Sequence, residues 1–469
     1  MDLLRNTYEN VIAERGLKDQ AQSVGEEGCF ADGRGLSANS WSIVRVDLKY
    51  GLEGLSVDVE ETPGFLGVLR PTEPEPLGDP SGTIAESLGA PIALRSLSEI
   101  SKGRKSACIV VSDSTRPVPN RLILPPMLRI IEDQGIAPSA ITILIATGIH
   151  RPSTETERRE LLGPEILARY AVVDHLSKER SEMVQVGRIG GTVPALINRR
   201  YVDSGLKVLT GFIEPHMWAG YSGGRKAILP GISSVETLEY MHGPEIIAHP
   251  GTEYGRLDGN PFHQAGLEVM DYAGADFLVN VTLNSRKEVT GVFSGHPVHG
   301  HLAGCRFLEQ HCVRELDGPL DFIVTTNAGA PLDCNLYQTV KGITGASPVV
   351  KKDGDIVIAS RCAEGAGSEE YRKVLDMVDS PEVFLCRLRE KEFFVPDQWC
   401  AQETYQVVAE KDVWLYTEGL PPEQVARYHM LPVDSIEKAI EFLLRKHGSD
   451  ARWAIVPDGP MLILRLSQH

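Results

Sequence analysis

The sequence has no long block of lysine or arginine and no long apolar run. Its 469 residues include 47 basic and 64 acidic side chains, which gives a net charge of −17 at pH 7. That acidic balance argues against nucleic acid and anionic membranes as partners. The longest apolar runs, such as ITILIA at 141–146, are much shorter than the roughly 18 residues of a membrane-spanning helix. We therefore expect neither a nucleic-acid nor a membrane partner.

Three further absences narrow the class of protein. The N-terminus mixes acids and bases and lacks the apolar region of a signal peptide, which predicts a cytoplasmic protein. The eight cysteines form no CxxC pair, so we expect reduced and mostly structural thiols. No GxGxxG motif opens a strand-to-helix turn, which argues against an ordinary nicotinamide-dependent dehydrogenase.

What the sequence does contain is a repeated order of strand, loop and helix. SACIVVSD leads into the helical stretch NRLILPPMLRIIEDQG, and AITILIATG leads into TETERRELLG, where Thr154 and Glu157 are spaced as a capping box. This order is typical of α/β proteins with mostly parallel sheets. At this length we expect two such α/β domains with an active-site cleft between them.

The predicted boundaries divide the chain into four parts. Residues 1–40 are an N-terminal extension that begins with an amphipathic helix, and residues 41–316 are an N-terminal catalytic and cofactor-binding α/β domain. Residues 317–434 form a C-terminal α/β domain. The strongly periodic helix that starts at residue 435 is expected to return residues 435–469 to the first domain.

Three predicted strands are followed by loops that carry polar and basic side chains. SDSTRP at 112–117 contains Arg116, GIHRP contains His150, and the strand LKVLTGF at 206–212 leads towards His216. Ligands of open α/β sheets bind at the carboxyl ends of the strands, so these loops are expected to converge on one crevice. Arg116 can hold a carboxylate or phosphate bidentately. A helix cap beside a surface arginine explains the same motif equally well.

Residues 211–232, GFIEPHMWAGYSGGRKAILPGI, read as neither a clean helix nor a clean strand. Because the stretch after His216 is mostly small, polar or basic, we expect it to bury no continuous apolar face and to gain stability from a bound ligand. GYSGGRKA is not a P-loop, since Arg225 replaces the last glycine and Ala227 follows the lysine. Its backbone amides could still cradle an anion that Lys226 approaches as a charge or a nucleophile.

Three histidines, His150, His216 and His242, lie in or near these loops, and imidazole serves as acid, base or metal ligand near neutral pH. They match no local zinc motif, and each one taken alone is more often structural. Farther along, Tyr337 and Lys341 are spaced to share one helical face. This lysine either lies exposed beside a half-buried tyrosine or reaches a substrate anion. The residues alone predict an anion-binding cleft with histidines.

Several motifs taken together resemble the nickel-pincer lactate racemase family. They are SDSTRP, ATGIHR, the segment 211–232, MHGPE, GNP at 259–261, PLDCNLYQTVKG, and DQWCAQ at 397–402. Their order and spacing make the resemblance specific, and it runs from about Trp41 to near the C-terminus. Only the first forty residues lack a counterpart, and every family position that can be placed holds the expected residue type.

The resemblance implies an uncommon cofactor, a modified pyridinium mononucleotide that holds nickel through one carbon and two sulfur atoms. It implies that Lys226 attaches this nickel-pincer nucleotide covalently and that His242 supplies the fourth nickel ligand. Such a cofactor must be made by other proteins, which become partners during maturation. The resemblance also implies a set of residues that line the cofactor or substrate: Asp113, Thr115, Gly223, Gly224, Tyr337 and Gln338.

The reaction that the resemblance implies is racemisation or epimerisation of a small 2-hydroxy acid. A hydride leaves C2 and returns to the other face of a 2-keto acid, while His150 or His216 removes the hydroxyl proton. Two bases on opposite sides suit substrates of either hand. Arg116 and Lys341 are implied to hold the substrate carboxylate.

Two alternatives stay open at this point. The same chemistry on a larger acid, such as malate, hydroxyglutarate or a sugar acid, would keep the catalytic residues and change only the pocket. Met217 and Trp218, beside the catalytic histidine, are the expected determinants of that pocket. A non-catalytic nickel or nucleotide carrier would keep Lys226 and His242, but it would not need two acid/base histidines.

Overall fold

The computed structural model describes residues 41–390 and 393–467, so the predicted helix and connector of residues 1–40 lie outside the described residues. The chain forms two compact units. The contiguous unit is Pro71–Val313, and the discontinuous unit consists of the described parts of Met1–Arg70 and Arg314–His469. Within the described ranges, no helix is both long and apolar enough to cross a membrane.

The strands and helices of the described residues follow each other as the sequence order of strand, loop and helix predicts. The strands are β1 (Ile43–Leu48), β2 (Leu55–Glu60), β3 (Phe65–Val68), β4 (Ala107–Ser112), β5 (Ile141–Ala146), β6 (Ala171–Asp174), β7 (Met183–Ile189), β8 (Val193–Asn198), β9 (Leu206–Phe212), β10 (Pro215–His216), β11 (Gly220–Tyr221), β12 (Phe277–Leu283), β13 (Val289–Gly295), β14 (Val313–Leu316), β15 (Leu320–Thr326), β16 (Val350–Ala359), β17 (Asp412–Tyr416), β18 (Leu431–Val433), β19 (Trp453–Val456) and β20 (Ile463–Leu466). The helices are α1 (Pro80–Gly89), α2 (Leu97–Ser101), α3 (Asn120–Asp133), α4 (Glu155–Leu162), α5 (Pro164–Arg169), α6 (Arg199–Val202), α7 (Val235–Met241), α8 (Pro244–Ile247), α9 (Pro261–Ala273), α10 (Pro297–Cys312), α11 (Leu336–Ala346), α12 (Glu369–Asp376), α13 (Pro381–Arg387), α14 (Gln398–Val408), α15 (Pro422–Arg427) and α16 (Ile436–His447).

The contiguous unit is built on a six-stranded sheet in the order β13-β12-β9-β4-β5-β6. The β12–β13 pair is antiparallel, and the four other pairs are parallel. Side chains of β4 alternate between two cores, with Ile109 and Val111 packed in one and Cys108 and Val110 in the other. Because both faces of the sheet are covered, its strands are continuously apolar, as ACIVV is.

The discontinuous unit contains a six-stranded sheet in the order β18-β17-β16-β15-β19-β3, and every pair is parallel. The edge strand β3 comes from the N-terminal part of the chain. Its Phe65 pairs with Trp453 and stacks on that ring at a centroid distance of 4.3 Å. Just beyond it, the amide of Leu69 donates to the carbonyl of Ile455 at 2.8 Å. The prediction of two α/β domains with mostly parallel sheets is confirmed.

The structure corrects the predicted domain boundaries. Residues 41–70 were expected in the N-terminal domain, but their strands belong to the discontinuous unit. The periodic helix that was expected to carry residues 435–469 back to the first domain is α16, and it stays in the discontinuous unit. Its buried Ile440 and Leu443 pack in one core with Val46 and Val57 of the antiparallel β1–β2 hairpin. This burial of apolar side chains explains both corrections.

A buried cluster of charges fastens the end of α16 to the sheet of the discontinuous unit. Asp355 of β16 is fully buried, and both of its carboxylate oxygens lie 2.9 Å from Nζ of Lys446. Nε2 of His447 lies 2.5 Å from Oδ2 of the same carboxylate, and Nε1 of Trp414 donates to Oδ1 at 2.7 Å. Lys446 also contacts Asp412 at 3.1 Å. Asp355 thus receives hydrogen bonds from three other side chains.

Candidate active site

The three loops that the sequence singled out begin at neighbouring strands of the contiguous unit. β9, β4 and β5 lie side by side in parallel, so their carboxyl ends meet at one edge of the sheet. Thr154 caps α4 and forms the predicted capping box with Glu157, which fixes the loop that carries His150. A hydrogen bond from the amide of Gly148 to the carbonyl of Gly231 ties this loop to the segment 211–232. The expected convergence of the loops is confirmed within this unit.

His150 and Asp113 form a hydrogen-bonded pair at this edge. Nδ1 of His150 lies 2.7 Å from Oδ2 of Asp113, and the hydroxyl of Thr115 donates to Oδ1 at 2.5 Å. Burial raises the pKa of the Asp113 carboxyl, but the hydrogen bonds from His150 and Thr115 outweigh it and leave this pKa below its usual value. Asp113 is therefore ionised, and an ionised carboxylate only accepts hydrogen bonds. The proton of neutral His150 lies on Nδ1, which leaves Nε2 as the basic nitrogen.

Arg116 follows Asp113 in the same loop and is one-third exposed. Its Nε lies 3.6 Å from Oε1 of Glu214, which also accepts a hydrogen bond from the hydroxyl of Ser222 at 3.2 Å. Glu214 comes from the segment 211–232, so this contact joins the β4 loop to that segment. Glu214 is not among the predicted site residues, and its position two residues after β9 is the one signal in the sequence that points to it.

The expectation for the segment 211–232 is wrong in one respect. Most of its residues are buried, including Ile213, Met217, Trp218 and Tyr221, so the segment does contribute to apolar packing. It folds as the short β10–β11 pair followed by a 3-10 helix at Gly224–Ala227. Glycine is needed at positions 220, 223 and 224 because other parts of the chain approach the backbone there closely. This is a tertiary effect that periodicity does not reveal.

His216 is held by the backbone that follows it. The amides of Trp218 and Ala219 point at its Nδ1, from 3.2 and 3.3 Å. An amide only donates, so Nδ1 carries the lone pair, and the proton of the neutral ring lies on Nε2. The two histidines therefore differ in tautomer: neutral His150 is set to accept a proton at Nε2, and neutral His216 is set to donate a hydrogen bond from Nε2.

His242 lies at the end of α7 in an aromatic environment. Its ring meets the rings of Trp218 and Phe262 edge-on, at centroid distances of 4.8 and 5.5 Å. Nδ1 donates to the carbonyl of Leu238 at 2.8 Å, which places the lone pair on Nε2. Burial and the nearby charge of Lys226 lower the pKa of His242 to about 4, although the bond to Leu238 opposes this. A neutral imidazole fixed by a carbonyl is the form in which histidine binds metals.

Contacts within the protein explain why positions 223 and 224 hold glycine. Gly223 has φ +81, and a Cβ there would lie 2.7 Å from Oδ1 of Asn280. Gly224 has φ +55, and its amide donates to the same oxygen at 2.9 Å. The Gly224 amide is thus used by Asn280, and Lys226 donates its own amide to the carbonyl of Gly223 at 3.1 Å. The predicted role of Gly223 and Gly224 in binding a cofactor stays a prediction.

The other predicted site residues lie on α11 of the discontinuous unit. The helical spacing of Tyr337 and Lys341 is confirmed, and Gln338 lies between them. The hydroxyl of Tyr337 accepts a hydrogen bond from Nε1 of Trp399 at 3.2 Å. In the described part of the chain, the buried Oε1 of Gln338 has no hydrogen-bond partner, so it can still accept one. The roles of these three residues towards substrate and cofactor stay predictions.

The chain matches two family models. Residues 50–255 match the lactate racemase N-terminal domain, and residues 317–464 match the lactate racemase C-terminal domain. The chain belongs to the lactate racemase family. As its relatives in this family are racemases, the protein is an isomerase.

Two relatives and two solved structures define the similarity. The lactate racemase of Lactiplantibacillus plantarum is 34% identical over 433 residues, and that of Thermoanaerobacterium thermosaccharolyticum is 32% identical over 427; each match covers 90% of this chain and 100% of the relative. The structure of the lactate racemase apoprotein from Thermoanaerobacterium thermosaccharolyticum superposes with a TM-score of 0.84 at 33% identity, over 90% of this chain and 100% of that one. A crystal structure of a Thermotoga maritima protein, at 20% identity, shares the fold with a TM-score of 0.61, over 83% of this chain and 99% of that one.

Proposed function

We propose that this isomerase racemises a lactate-like 2-hydroxy acid with a nickel-pincer nucleotide attached to Lys226. The observation that carries the proposal is the 2.7 Å contact between His150 and the ionised Asp113. It makes Nε2 of His150 a base at the edge where α/β sheets bind ligands. Two relatives with full-length matches are named lactate racemase, which supports the choice of substrate class.

The residues around His242 fit the proposed cofactor. Among the described residues, no group of three His, Cys, Asp or Glu side chains could hold a metal ion. Nε2 of His242 would hold the metal as one ligand, and a nickel-pincer nucleotide would supply the other ligands itself. The charge of Lys226 lowers the pKa of His242, so these two residues are near enough to serve one cofactor as tether and ligand. When bound, such a cofactor would supply an acceptor that takes a hydride from C2 and returns it.

The chain's own residues would then bind the acid and move its hydroxyl proton. Arg116 pairs with the substrate carboxylate, for which its guanidinium has the matching geometry. Nε2 of His150 takes the hydroxyl proton, and Asp113 stabilises the imidazolium that forms. The Nε2–H of His216 donates to the oxygen on C2, which favours the 2-keto acid. Nε2 of His150 then returns the proton to the oxygen on C2, and addition at the other face of the 2-keto acid would give the opposite enantiomer.

The substrate proposal is tested with protein that has been co-expressed with the enzymes that make the cofactor. Single enantiomers of lactate, malate, hydroxyglutarate and sugar acids are incubated with it, and chiral chromatography measures the loss of optical purity. We expect lactate or a close homologue to racemise fastest. Faster conversion of a larger acid would replace the substrate but keep the chemistry. No conversion of any acid by protein that carries nickel and the cofactor mass would favour a carrier.

The Asp113→Asn variant tests the role of the carboxylate. Asparagine is neutral and can turn its amide N–H towards His150, which would put the imidazole proton on Nε2 and remove the base. We expect kcat to fall by about 10²-fold, within the range for loss of general-base catalysis, while KM changes little. Steady-state kinetics on the racemised acid measures both constants.

A matched control for that variant is Arg151→Ala in the same loop. Arg151 pairs with Glu157 and its side chain is two-thirds exposed, so its loss should change kcat by less than about twofold. An Asp113→Asn enzyme with the wild-type kcat would show that Asp113 is not needed for the base.

A further inference from the structure

Arg225 lies between Gly224 and Lys226, and its buried guanidinium donates hydrogen bonds to backbone carbonyls of its own segment. Only 1% of its surface is exposed. Its Nη2 donates to the carbonyl of Ala219, and its Nη1 donates to the carbonyls of Tyr221 at 3.0 Å and Gly223 at 3.4 Å. The ring nitrogen Nε2 of His301 lies 3.0 Å from Nη1. One guanidinium thus joins three carbonyls of the segment 211–232.

The surroundings of Arg225 leave little room for another arrangement. A Cβ at position 266 would lie 2.5 Å from Cγ of Arg225, and a Cβ at position 224 would lie 2.6 Å from Cγ of His301. Both positions hold glycine. Burial lowers the pKa of Arg225 to about 10, which still leaves it charged at neutral pH. Burying a charge is costly unless hydrogen bonds compensate. Carbonyl oxygens accept from Nη1 and Nη2, while the buried Nε has no hydrogen-bond partner within the described residues.

The hydrogen bonds of Arg225 lead directly to His216. The carbonyl of Ala219 accepts from Arg225, and the amide of Ala219 donates to Nδ1 of His216. The carbonyl and the amide of Ala219 belong to consecutive peptide groups that meet at its Cα, so holding the carbonyl restrains the position of the residue whose N–H points at Nδ1. An N–H that points at Nδ1 favours the tautomer with the proton on Nε2. If Ala219 shifts, Nδ1 keeps only the amide of Trp218 as a donor, and the form with the proton on Nε2 is less strongly favoured.

Arg225 is also the neighbour of Lys226 in a 3-10 helix, where successive side chains project about 120° apart because a turn holds three residues. With Arg225 fixed inside the unit, Lys226 is directed elsewhere, and it remains only partly buried. The two adjacent residues thus have different roles: Arg225 anchors the segment, and Lys226 reaches the site.

We propose that Arg225 is a positioning residue, which supports the tautomer of His216 by holding Ala219 in place and directs Lys226 towards its reaction partner. The roles of His216 and Lys226 in this statement rest on the proposed function. The structural link itself does not, so it can be tested on the protein without cofactor.

The first test uses the apo-protein and two variants. Arg225→Lys keeps the charge but loses the planar fork, and Gly266→Ala keeps the arginine but places a methyl group against its Cγ. Histidine labelled with ¹⁵N reports each ring tautomer by long-range ¹H–¹⁵N NMR, and a His216→Asn sample assigns the His216 signals. We expect the wild-type ring to show the Nε2–H tautomer and both variants to show loss of that pattern through averaging of the two tautomers.

The second test uses protein co-expressed with the cofactor-making enzymes. Intact mass measures the fraction of chains that carry the cofactor, and we expect it to fall severalfold in both variants. Where the cofactor is attached, kcat should fall by about 10²-fold with KM nearly unchanged, since a displaced acid/base group slows chemistry more than binding. Tyr201→Phe is the matched control, because it removes a buried hydrogen bond to the carbonyl of Gly274 in the same unit. It should leave the His216 tautomer and the attached fraction unchanged.

The result that overturns the proposal is a folded Arg225→Lys and a folded Gly266→Ala protein with the wild-type His216 tautomer and wild-type attachment. Loss of the His216 tautomer in the Tyr201→Phe control would overturn it too, since a general loss of stability would then explain the effect. If the wild-type chain never acquires the cofactor, the proposed function fails, and the NMR comparison on apo-protein still decides the positioning role.

Discussion

Replacing Lys226 with alanine is expected to remove the covalently bound cofactor mass and to lower racemisation by on the order of 10⁴-fold or more, to the uncatalysed background. The amine is the only part of this side chain that can form the attachment, and alanine offers no nucleophile in its place. Intact mass spectrometry measures the attachment, and chiral chromatography measures the racemisation of the same sample.

Three further variants separate the parts of this prediction. Lys226→Arg keeps a positive charge at the position but has no amine to acylate, so it should also lack the cofactor mass. Lys178→Ala removes an exposed lysine of the same unit and should keep both mass and activity. His242→Ala should keep the mass on Lys226 while its nickel content and activity fall, because it removes a metal ligand and not the tether. Cofactor mass on the Lys226→Arg protein would show that another residue forms the bond.

Replacing Asp355 with alanine is expected to destabilise the discontinuous unit by about 3–5 kcal/mol, the usual cost of removing one partner from a buried ion pair. The change would leave the ammonium of Lys446, the ring of His447 and the indole N–H of Trp414 inside the unit without their shared acceptor. Burial lowers the pKa of Lys446, but Asp355 and Asp412 outweigh it and raise this pKa above its ordinary value. The contribution of Lys446 is therefore complete below that ordinary value and is lost only at higher pH.

Urea unfolding near neutral pH, followed by tryptophan fluorescence, measures the free energy of unfolding of the discontinuous unit. Trp218 is the one tryptophan of the contiguous unit, and the other four of the five belong to the discontinuous unit. The control is Asp434→Ala, which removes an exposed pair with Lys438 and should cost at most about 1 kcal/mol. Equal midpoints for the Asp355→Ala and Asp434→Ala proteins would mean that the cluster adds no net stability.

The sequence predicts the local elements of this fold well because their signals are local. Thr154 and Glu157 start α4 through a capping box, and LKVLTGF is the whole of β9. Loops that follow neighbouring parallel strands must meet, which is why the sequence predicts that the loops of Arg116 and His150 converge. The sheet to which β3 belongs could not be predicted in this way. Its partner β19 lies at the other end of the chain, and nothing in FLGV indicates that pairing.

Some residues of the candidate site could be predicted from the sequence, and others are revealed only by the fold. His242 was selected through a resemblance, and its hydrogen bond to Leu238 then gave a physical reason for the choice. In the sequence, Arg225 only excludes a P-loop. Its structural role depends on carbonyl groups that point inward once the segment has folded. Glu214 was missed for a similar reason: its partner Arg116 comes from a loop about a hundred residues earlier. Contacts between distant buried polar groups have no sequence period.

The parallel pairing of β3 with β19 has a consequence for the order in which the protein can fold during synthesis. The contiguous unit is complete once residue 313 has emerged from the ribosome, so it can fold while translation continues. The strand β3 is made before that unit, yet its partner is among the last segments to appear. An early part of the nascent chain must therefore wait, unpaired, for almost the whole of translation. A fragment that starts at residue 317 would never receive that strand and would expose the edge of β19.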